Sequence, residues 1–425
     1  MKADRKIHPA WKMLVGCCLL QGGSLGVIHN CRGIFYDPVI ESLGFGMGAF
    51  SFYVLFFGVC SCLVLPFVGN LFQRVDSRIL LGGASVVFSA TVFAMGFFHT
   101  LPAFYIAGAL QGFAGAFLMF YPAPYILGNW FKKKSGLAVG ISAAFAGLMG
   151  VIFNPIGNAL IERFGWRTGF FAFGVISLAM MLPASVFLLR RSPEDAGCRA
   201  YGDEEAAGVT DRTEAPDGVP ASRAKRESAF WLLILAGLLT AFTCSYYSHL
   251  TPLGIYFGYG SAMGALLGSG SMAGNVVSKL LLGHVYDRFG LKKALTAGTV
   301  VTALGFILLL FDSFPVRLTG SILYGFCMAM SAVMVAITIR DVYGSRDYAE
   351  LLSYGSMVST LGTSVNTVII GYMVDGFGKQ RGYIISLWYG LAITLAMGML
   401  FIFSIRRGRK IAAEYAHDPA ADSKA

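Results

Sequence analysis

Twelve stretches of this chain run for about twenty residues with almost no charge, and that pattern restricts the fold more than any other feature. A helix needs roughly that many apolar residues to cross the hydrocarbon of a bilayer. The stretches predict spans at 11–34, 47–71, 79–98, 102–126, 136–160 and 167–189, then at 229–256, 261–284, 293–312, 315–339, 351–374 and 383–405. Composition agrees. Mean hydropathy is +0.65 and only 13% of the 425 residues are charged, against about 25% in an ordinary soluble protein. The chain cannot cover itself with water-compatible side chains, so an all-α membrane protein is expected. The N-terminus begins basic and turns apolar, as a signal peptide does. Its apolar stretch is too long and no small-residue cleavage site follows, so an uncleaved first span is the reading.

The net charge of +10 is spread over short loops and gathers on no single face, which argues against nucleic acid as a partner. The cations alternate along the chain instead. Lys2, Arg5, Lys6 and Lys12 precede span 1; Arg74 and Arg78 follow span 2; Lys132 to Lys134 follow span 4; Arg190 and Arg191 follow span 6. Lys292 and Lys293, Arg340 and Arg346, and the cluster Arg406 to Lys410 continue the pattern, while Arg163 and Arg167 in the loop between spans 5 and 6 run against it. The positive-inside rule then predicts a multi-pass protein of the cell membrane with both termini in the cytoplasm.

Residues 190–228 are polar, charge-dense and dotted with Gly and Pro, which predicts a cytoplasmic linker of little fixed structure. An internal repeat flanks it: GNLFQRVDSR begins at Gly69 and GHVYDRFGLKK at Gly283, each read as a helix-ending glycine before a basic turn. The expected organisation is a six-span bundle at 1–189, the linker at 190–228, a second pseudo-symmetric bundle at 229–410 and a cytoplasmic tail at 411–425. Four G-x-x-x-G pairs (Gly108/Gly112, Gly136/Gly140, Gly264/Gly268, Gly270/Gly274) predict close helix contacts. The eight cysteines lie mostly in apolar runs and read as packing residues.

GHVYDRFGLKK resembles the G-x-x-x-D-R-x-G-R-K loop signature of the major facilitator superfamily, on Gly283, Asp287, Arg288, Gly290, Lys292 and Lys293. In the first copy Gln73 and Asp76 replace the acid and the second glycine. A narrower likeness joins WFKKKSGLAVGI, the later FGWR and the Asn275–Lys279–Gly283 pattern of NVVSKLLLG to the monocarboxylate porters and the oxalate/formate antiporter group. The resemblance implies two six-helix bundles in the major facilitator fold, alternating access and a carboxylate substrate. Two departures stand out. Lys279 replaces the families' usual Arg, which weakens bidentate carboxylate recognition, and span 11 carries no lysine.

In span 8, Gly264, Gly268, Ser271, Asn275, Lys279 and Gly283 recur every three or four residues and so share one face. A polar stripe is costly against lipid, so this face should look into the bundle. Lys279 is then a substrate cation with Asn275 beside it, or else a lysine one turn from the cytoplasmic end that snorkels to the interface. Arg32 is either a second anion contact or an interfacial arginine paired with Asp37 or Glu41, and Asn30 is a candidate hydrogen-bonding partner. Tyr121 and Tyr125, Tyr247 among Thr240, Thr243 and Thr251, and the stripe Ser356, Thr360, Thr363 and Thr367 suit a polar cavity or plain interhelical bonding. His249 could titrate near neutrality or be structural. Gly283, Asp287, Arg288 and Gly290 read as a gate by the superfamily signature, or as surface turn charges.

Acids are scarce inside the predicted spans: Asp37, Glu41, Glu162, Asp312 and Asp375 all fall at helix ends. A cation without a buried acid suits an anionic substrate and favours exchange for a counter-anion, with proton symport still open. The expected function is secondary active transport of a small mono- or dicarboxylate by a monomer in the lipid bilayer. No cofactor or metal is expected; there is no P-loop, no H-E-x-x-H and no G-x-S-x-G, so an enzyme is not. The alternatives are a carrier of an uncharged or amphipathic solute and a non-transporting sensor.

Overall fold

The computed structural model describes residues 8–119, 121–202, 218–344 and 346–417. Expectations placed on Lys2, Arg5 and Lys6, on the middle of the linker and on the last eight residues lie outside the described residues. Among the described residues, eleven helical stretches are long and apolar enough to cross a membrane. They are Ala10–Leu43, Met47–Phe72, Ser77–Met95, Leu101–Trp130 and Ser135–Leu188, then Ser228–Ser248, Gly260–Phe289, Leu291–Leu310, Phe314–Tyr343, Glu350–Phe377 and Lys379–Lys410. Ser135–Leu188 turns at Gly165 (φ 82°, ψ 162°) and so holds spans 5 and 6, which brings the number to the expected twelve.

The chain divides into two compact units. One comprises 1–211 with 248–272, the other 212–247 with 273–425. In the first unit span 2 packs along span 4, span 3 lies against spans 4 and 6, and span 1 lies against the helical run of spans 5 and 6. In the second, span 7 packs on spans 11 and 12, and span 9 on spans 10 and 12.

A three-span rhythm runs through the chain. Spans 1, 4, 7 and 10 are each interrupted. Span 1 loosens to a π-helix at Gly22–His29 and a 3-10 turn at Arg32–Phe35 before Tyr36–Leu43 resumes. Span 4 stops at Leu118 and restarts at Pro122. Span 7 passes through a 3-10 turn at Ser245–Ser248, and span 10 breaks at Gly325 and carries a π-helix at Met330–Met334. Backbone groups freed inside a membrane need new partners. Here side chains supply them: Gln21 Nε2 donates to the Met119 carbonyl (3.1 Å), and the Tyr324 hydroxyl donates to the carbonyls of Thr243 (3.1 Å) and Cys244 (2.7 Å).

The turns repeat too. Phe-Gly followed closely by a base closes spans 5, 8 and 11, at Gly165, Gly290 and Gly378, all with φ near 82°. That left-handed conformation explains glycine at each. Gly69 and Gly283, read from sequence as helix-ending, lie instead within helices that run to Arg74 and Phe289. The helix-ending glycine of the signature is Gly290.

Close packing falls at some of the predicted pairs. A Cβ on Gly108 would stand 2.1 Å from the Tyr53 carbonyl oxygen and one on Gly112 2.2 Å from that of Phe57, so spans 2 and 4 touch backbone to backbone. Gly274 meets the Ile322 carbonyl in the same way. Gly136 and Gly140 have no described neighbour within 4 Å, and the close contact expected there is not made. Six of the eight cysteines are buried, and none is in a disulfide.

The described ends of the linker are held, contrary to the expectation of little fixed structure. Tyr201 N donates to the Trp130 carbonyl (2.8 Å), and its own carbonyl accepts from Lys132 N (3.1 Å). Its ring packs against His8, Trp11 and Phe131. At the far end Val219 N donates to the Tyr343 carbonyl (2.9 Å), Ala221 N to Asp347 Oδ2 (2.7 Å) and Lys225 Nζ to Glu350 (2.6 Å). The linker is thus tied to the turn after span 4 and to its counterpart after span 10. Polarity hid this, because aromatic and backbone pairing fixes the chain where hydropathy reads only solvent.

Candidate functional site

Span 8 carries two sharply different faces. Val277, Leu280 and Leu281 are exposed, whereas Ser271, Asn275, Ser278 and Leu282 are buried. At 100° per residue Lys279 falls on the Asn275 side, away from the exposed apolar stripe, and is half-buried. It also stands ten residues before the helix end at Phe289, about 15 Å along the axis. The snorkelling alternative had it one turn from that end. Asn275 is only 7% exposed, and its Oδ1 has no hydrogen-bond partner among the described residues. Such a buried acceptor costs about 1–3 kcal/mol unless something donates to it.

The rest of the second unit builds a polar cluster around the break in span 7. Asn366, fully buried in span 11, donates from Nδ2 to the Phe242 carbonyl and to Ser245 Oγ, both at 2.8 Å. Tyr389 donates to Asn366 Oδ1 at 2.9 Å, and the Tyr246 hydroxyl donates to the Ser386 carbonyl. Tyr247 is buried within the same turn. Of the hydroxyls that suited a polar cavity or interhelical bonding, Thr240, Thr243, Thr360, Thr363 and Thr367 each donate to a carbonyl four residues back in their own helix, and Thr363 also reaches the Ala241 carbonyl of span 7 (3.4 Å). Asn366, Tyr324 and Tyr389 were not singled out from sequence. The signal available was a lone Asn within the apolar run VNTVII.

In the first unit, Asn30 ends the π-helical part of span 1, and its Nδ2 donates to the Ala146 carbonyl of span 5 (3.2 Å). Arg32 is buried, with its guanidinium carbon 5.4 Å from the Phe57 ring centroid, and it lines a cavity of about 20 Å³ with Tyr53 and Gln111. That is room for about one water. Tyr121 and Tyr125 stack at 5.2 Å over Phe72.

One expectation fails here. Asp37, taken as a helix-end acid, is 3% exposed within the membrane-crossing stretch Ala10–Leu43, because the helix resumes at Tyr36 and runs on past it. Glu41, Glu162, Asp312 and Asp375 are exposed as expected. Residues 248–272 also belong to this unit: His249 stacks on Tyr36 at 5.5 Å, Ser269 donates to the Val151 carbonyl (3.0 Å), and Ser261 donates to Glu162.

At the end of span 8, Asp287 and Arg288 are exposed, and the Arg288 guanidinium lies 5.4 Å from the Phe289 ring centroid. Gly283 has no described neighbour within 4 Å of a Cβ, and Gly290 supplies the left-handed turn. Arg167, a cation that runs against the charge pattern, caps the end of span 3 by donating to the Gly96 carbonyl (2.7 Å). Arg317 is buried; it donates to the Leu309 carbonyl (3.1 Å) and pairs with Asp312 (3.4 Å). Both put a cation on helix C-terminal carbonyls, where the helix dipole favours one.

A family model described as Major Facilitator Superfamily matches residues 19–278 and 256–421. The MFS-type transporter pynF of Aspergillus niger is 26% identical over 332 residues, which span 75% of this chain and 70% of that protein. Mouse monocarboxylate transporter 12 is 23% identical over 423 residues, covering 93% of this chain and 83% of its own. In fold, the chain matches the crystal structure of a bacterial homologue of the human lysosomal transporter Spinster. The TM-score is 0.70 at 14% identity, with 96% of this chain and 99% of that one covered.

Proposed function

Because the chain belongs to the major facilitator superfamily and is a transporter rather than an enzyme, we propose that it carries a small organic anion by alternating access. Lys279 is the substrate cation. The observation that carries this reading is its position on the buried side of span 8, four residues from Asn275 and opposite the lipid-exposed stripe. A cation on the buried side of a membrane-crossing helix marks a solute pathway, and a carboxylate is the substrate charge that suits it. The unpartnered Asn275 Oδ1 asks for a donor, so the preferred substrate bears a hydroxyl or a protonated carboxyl beside the carboxylate. The likeness to monocarboxylate transporter 12 points the same way.

The charge pattern of the loops supports a cytoplasmic location for both termini and the linker. Alternating access then requires the contacts of 248–272 with span 1 and span 5 to part and re-form. Coupling is either anion exchange or proton symport, and buried Asp37 gives the second a carboxylate that the sequence had withheld. Counterflow in proteoliposomes tests the pair: exchange predicts uptake that an uncoupler leaves unchanged, whereas symport predicts uptake that follows the pH gradient. Absence of any carboxylate counterflow contradicts the proposal and favours an uncharged solute.

A further inference from the structure

Where span 2 turns into span 3, the start of the linker closes over it and leaves a cavity of about 360 Å³. Four arginines line it, Arg74, Arg78, Arg190 and Arg191, against two acids, Asp76 and Asp195. Both acids already hold the backbone: Asp76 accepts from Arg78 N (2.8 Å) and Asp195 from Ser192 N (3.2 Å). A second cavity of about 400 Å³ shares Arg191 and adds Lys132 and Arg199 against Glu194. The backbone of 190–191 is fixed, since its carbonyls accept from Trp130 Nε1 (3.0 Å) and Asn129 Nδ2 (3.2 Å). Burial first, and Arg78 second, hold Arg190 below the usual guanidinium pKa, and the nearby acids offset this only in part. The basin is short of negative charge.

Its surroundings say where an anion would come from. Ile79, next to Arg78, is 71% exposed; Phe187, three residues before Arg190, is 75% exposed; and Leu71 is exposed one turn before Arg74. These apolar side chains lie in or beside membrane-crossing stretches, so the basin sits beside the acyl-chain region. We propose that it binds the phosphate headgroup of an anionic membrane lipid, with Arg78 and Arg190 as the principal contacts and the acyl chains along Ile79 and Phe187. Guanidinium groups suit this because they bind phosphate oxygens bidentately. The site is separate from Lys279 and does not depend on its role.

The test uses the full chain in nanodiscs of phosphatidylcholine with a tenth of phosphatidylglycerol, released for native mass spectrometry. The proposal predicts retained phosphatidylglycerol on the wild type. It predicts at least fivefold less on Arg78→Gln/Arg190→Gln, and retention between that and the wild type on Arg78→Lys/Arg190→Lys, a variant that keeps the charge without the bidentate fork and also controls for folding. Soluble glycerol phosphate at millimolar concentration should not raise the melting temperature, while phosphatidylglycerol should, by several degrees. Equal retention of both lipids, or retention unchanged in the Gln variant, overturns the proposal. A melting shift from glycerol phosphate as large as that from the lipid overturns it as well, since a free anion is then the ligand.

Discussion

Asn275 and Lys279 stand one helical turn apart on the same side of span 8, the first buried with an unanswered carbonyl oxygen and the second half-buried about 15 Å from the helix end. An orphaned acceptor destabilises the empty protein and favours a ligand that brings a donor. Asn275→Leu removes the acceptor with little change in volume. It should leave the melting temperature unchanged or raise it, because about 1–3 kcal/mol of unmet desolvation disappears, and it should raise the KM for transport several-fold. A melting temperature lowered by several degrees, with KM unchanged, makes Asn275 a packing residue.

The break in span 7 depends on borrowed donors. Asn366 bonds the Phe242 carbonyl, Ser245 and Tyr389 together in a fully buried setting. Asn366→Leu strands those groups and should cost about 2–4 kcal/mol, one to two unmet buried groups. The readout is thermal unfolding of the purified protein in detergent. Thr360→Val, which removes only a bond within its own helix, should shift melting by far less.

Glycine matters at some positions and not at others. Gly108→Ala drives a methyl into the Tyr53 carbonyl at 2.1 Å, whereas Gly136→Ala meets nothing within 4 Å. The first should lower the melting temperature by several degrees, since overpacking costs about 1–3 kcal/mol. The second should be neutral or slightly stabilising, because the methyl meets no obstruction and alanine is the better helix former. Equal behaviour of the two contradicts the packing described for spans 2 and 4.

Asp37 separates the coupling modes. If its carboxylate carries the coupled proton, Asp37→Asn should abolish accumulation driven by an inward proton gradient and keep exchange of internal for external substrate. Gradient-driven accumulation at the wild-type level in that variant assigns Asp37 a structural role.

Much of the fold was legible because lipid imposes a simple rule, and hydropathy read all twelve spans close to their places. The interruptions of spans 1, 4, 7 and 10 were not, since a π-helix or a 3-10 turn keeps the same apolar residues. Asp37 was misread for that reason: the helix that resumes at Tyr36 looked like a loop beyond the end of span 1. The repeat was seen in two of its copies. Its shared element, Phe-Gly at 165, 290 and 378, escaped notice because the copy after span 2 has Val75 and Asp76 instead. On span 8 the polar face was visible from spacing alone, while the depth of Lys279 needed the helix end at Phe289. Asn366 sits among threonines of the same polar spacing, whose hydroxyls mostly bond their own helix, so spacing alone does not set it apart.

Uptake of radiolabelled small carboxylates into proteoliposomes, compared among the wild type, Lys279→Ala and Lys279→Arg, tests the central claim most directly. The account predicts saturable uptake that unlabelled carboxylates inhibit and neutral solutes of the same size do not. It predicts at least a tenfold loss of kcat/KM in Lys279→Ala, about 1.4 kcal/mol or more, with substantial activity kept in Lys279→Arg. Carboxylate uptake at the wild-type rate in correctly folded Lys279→Ala would contradict it.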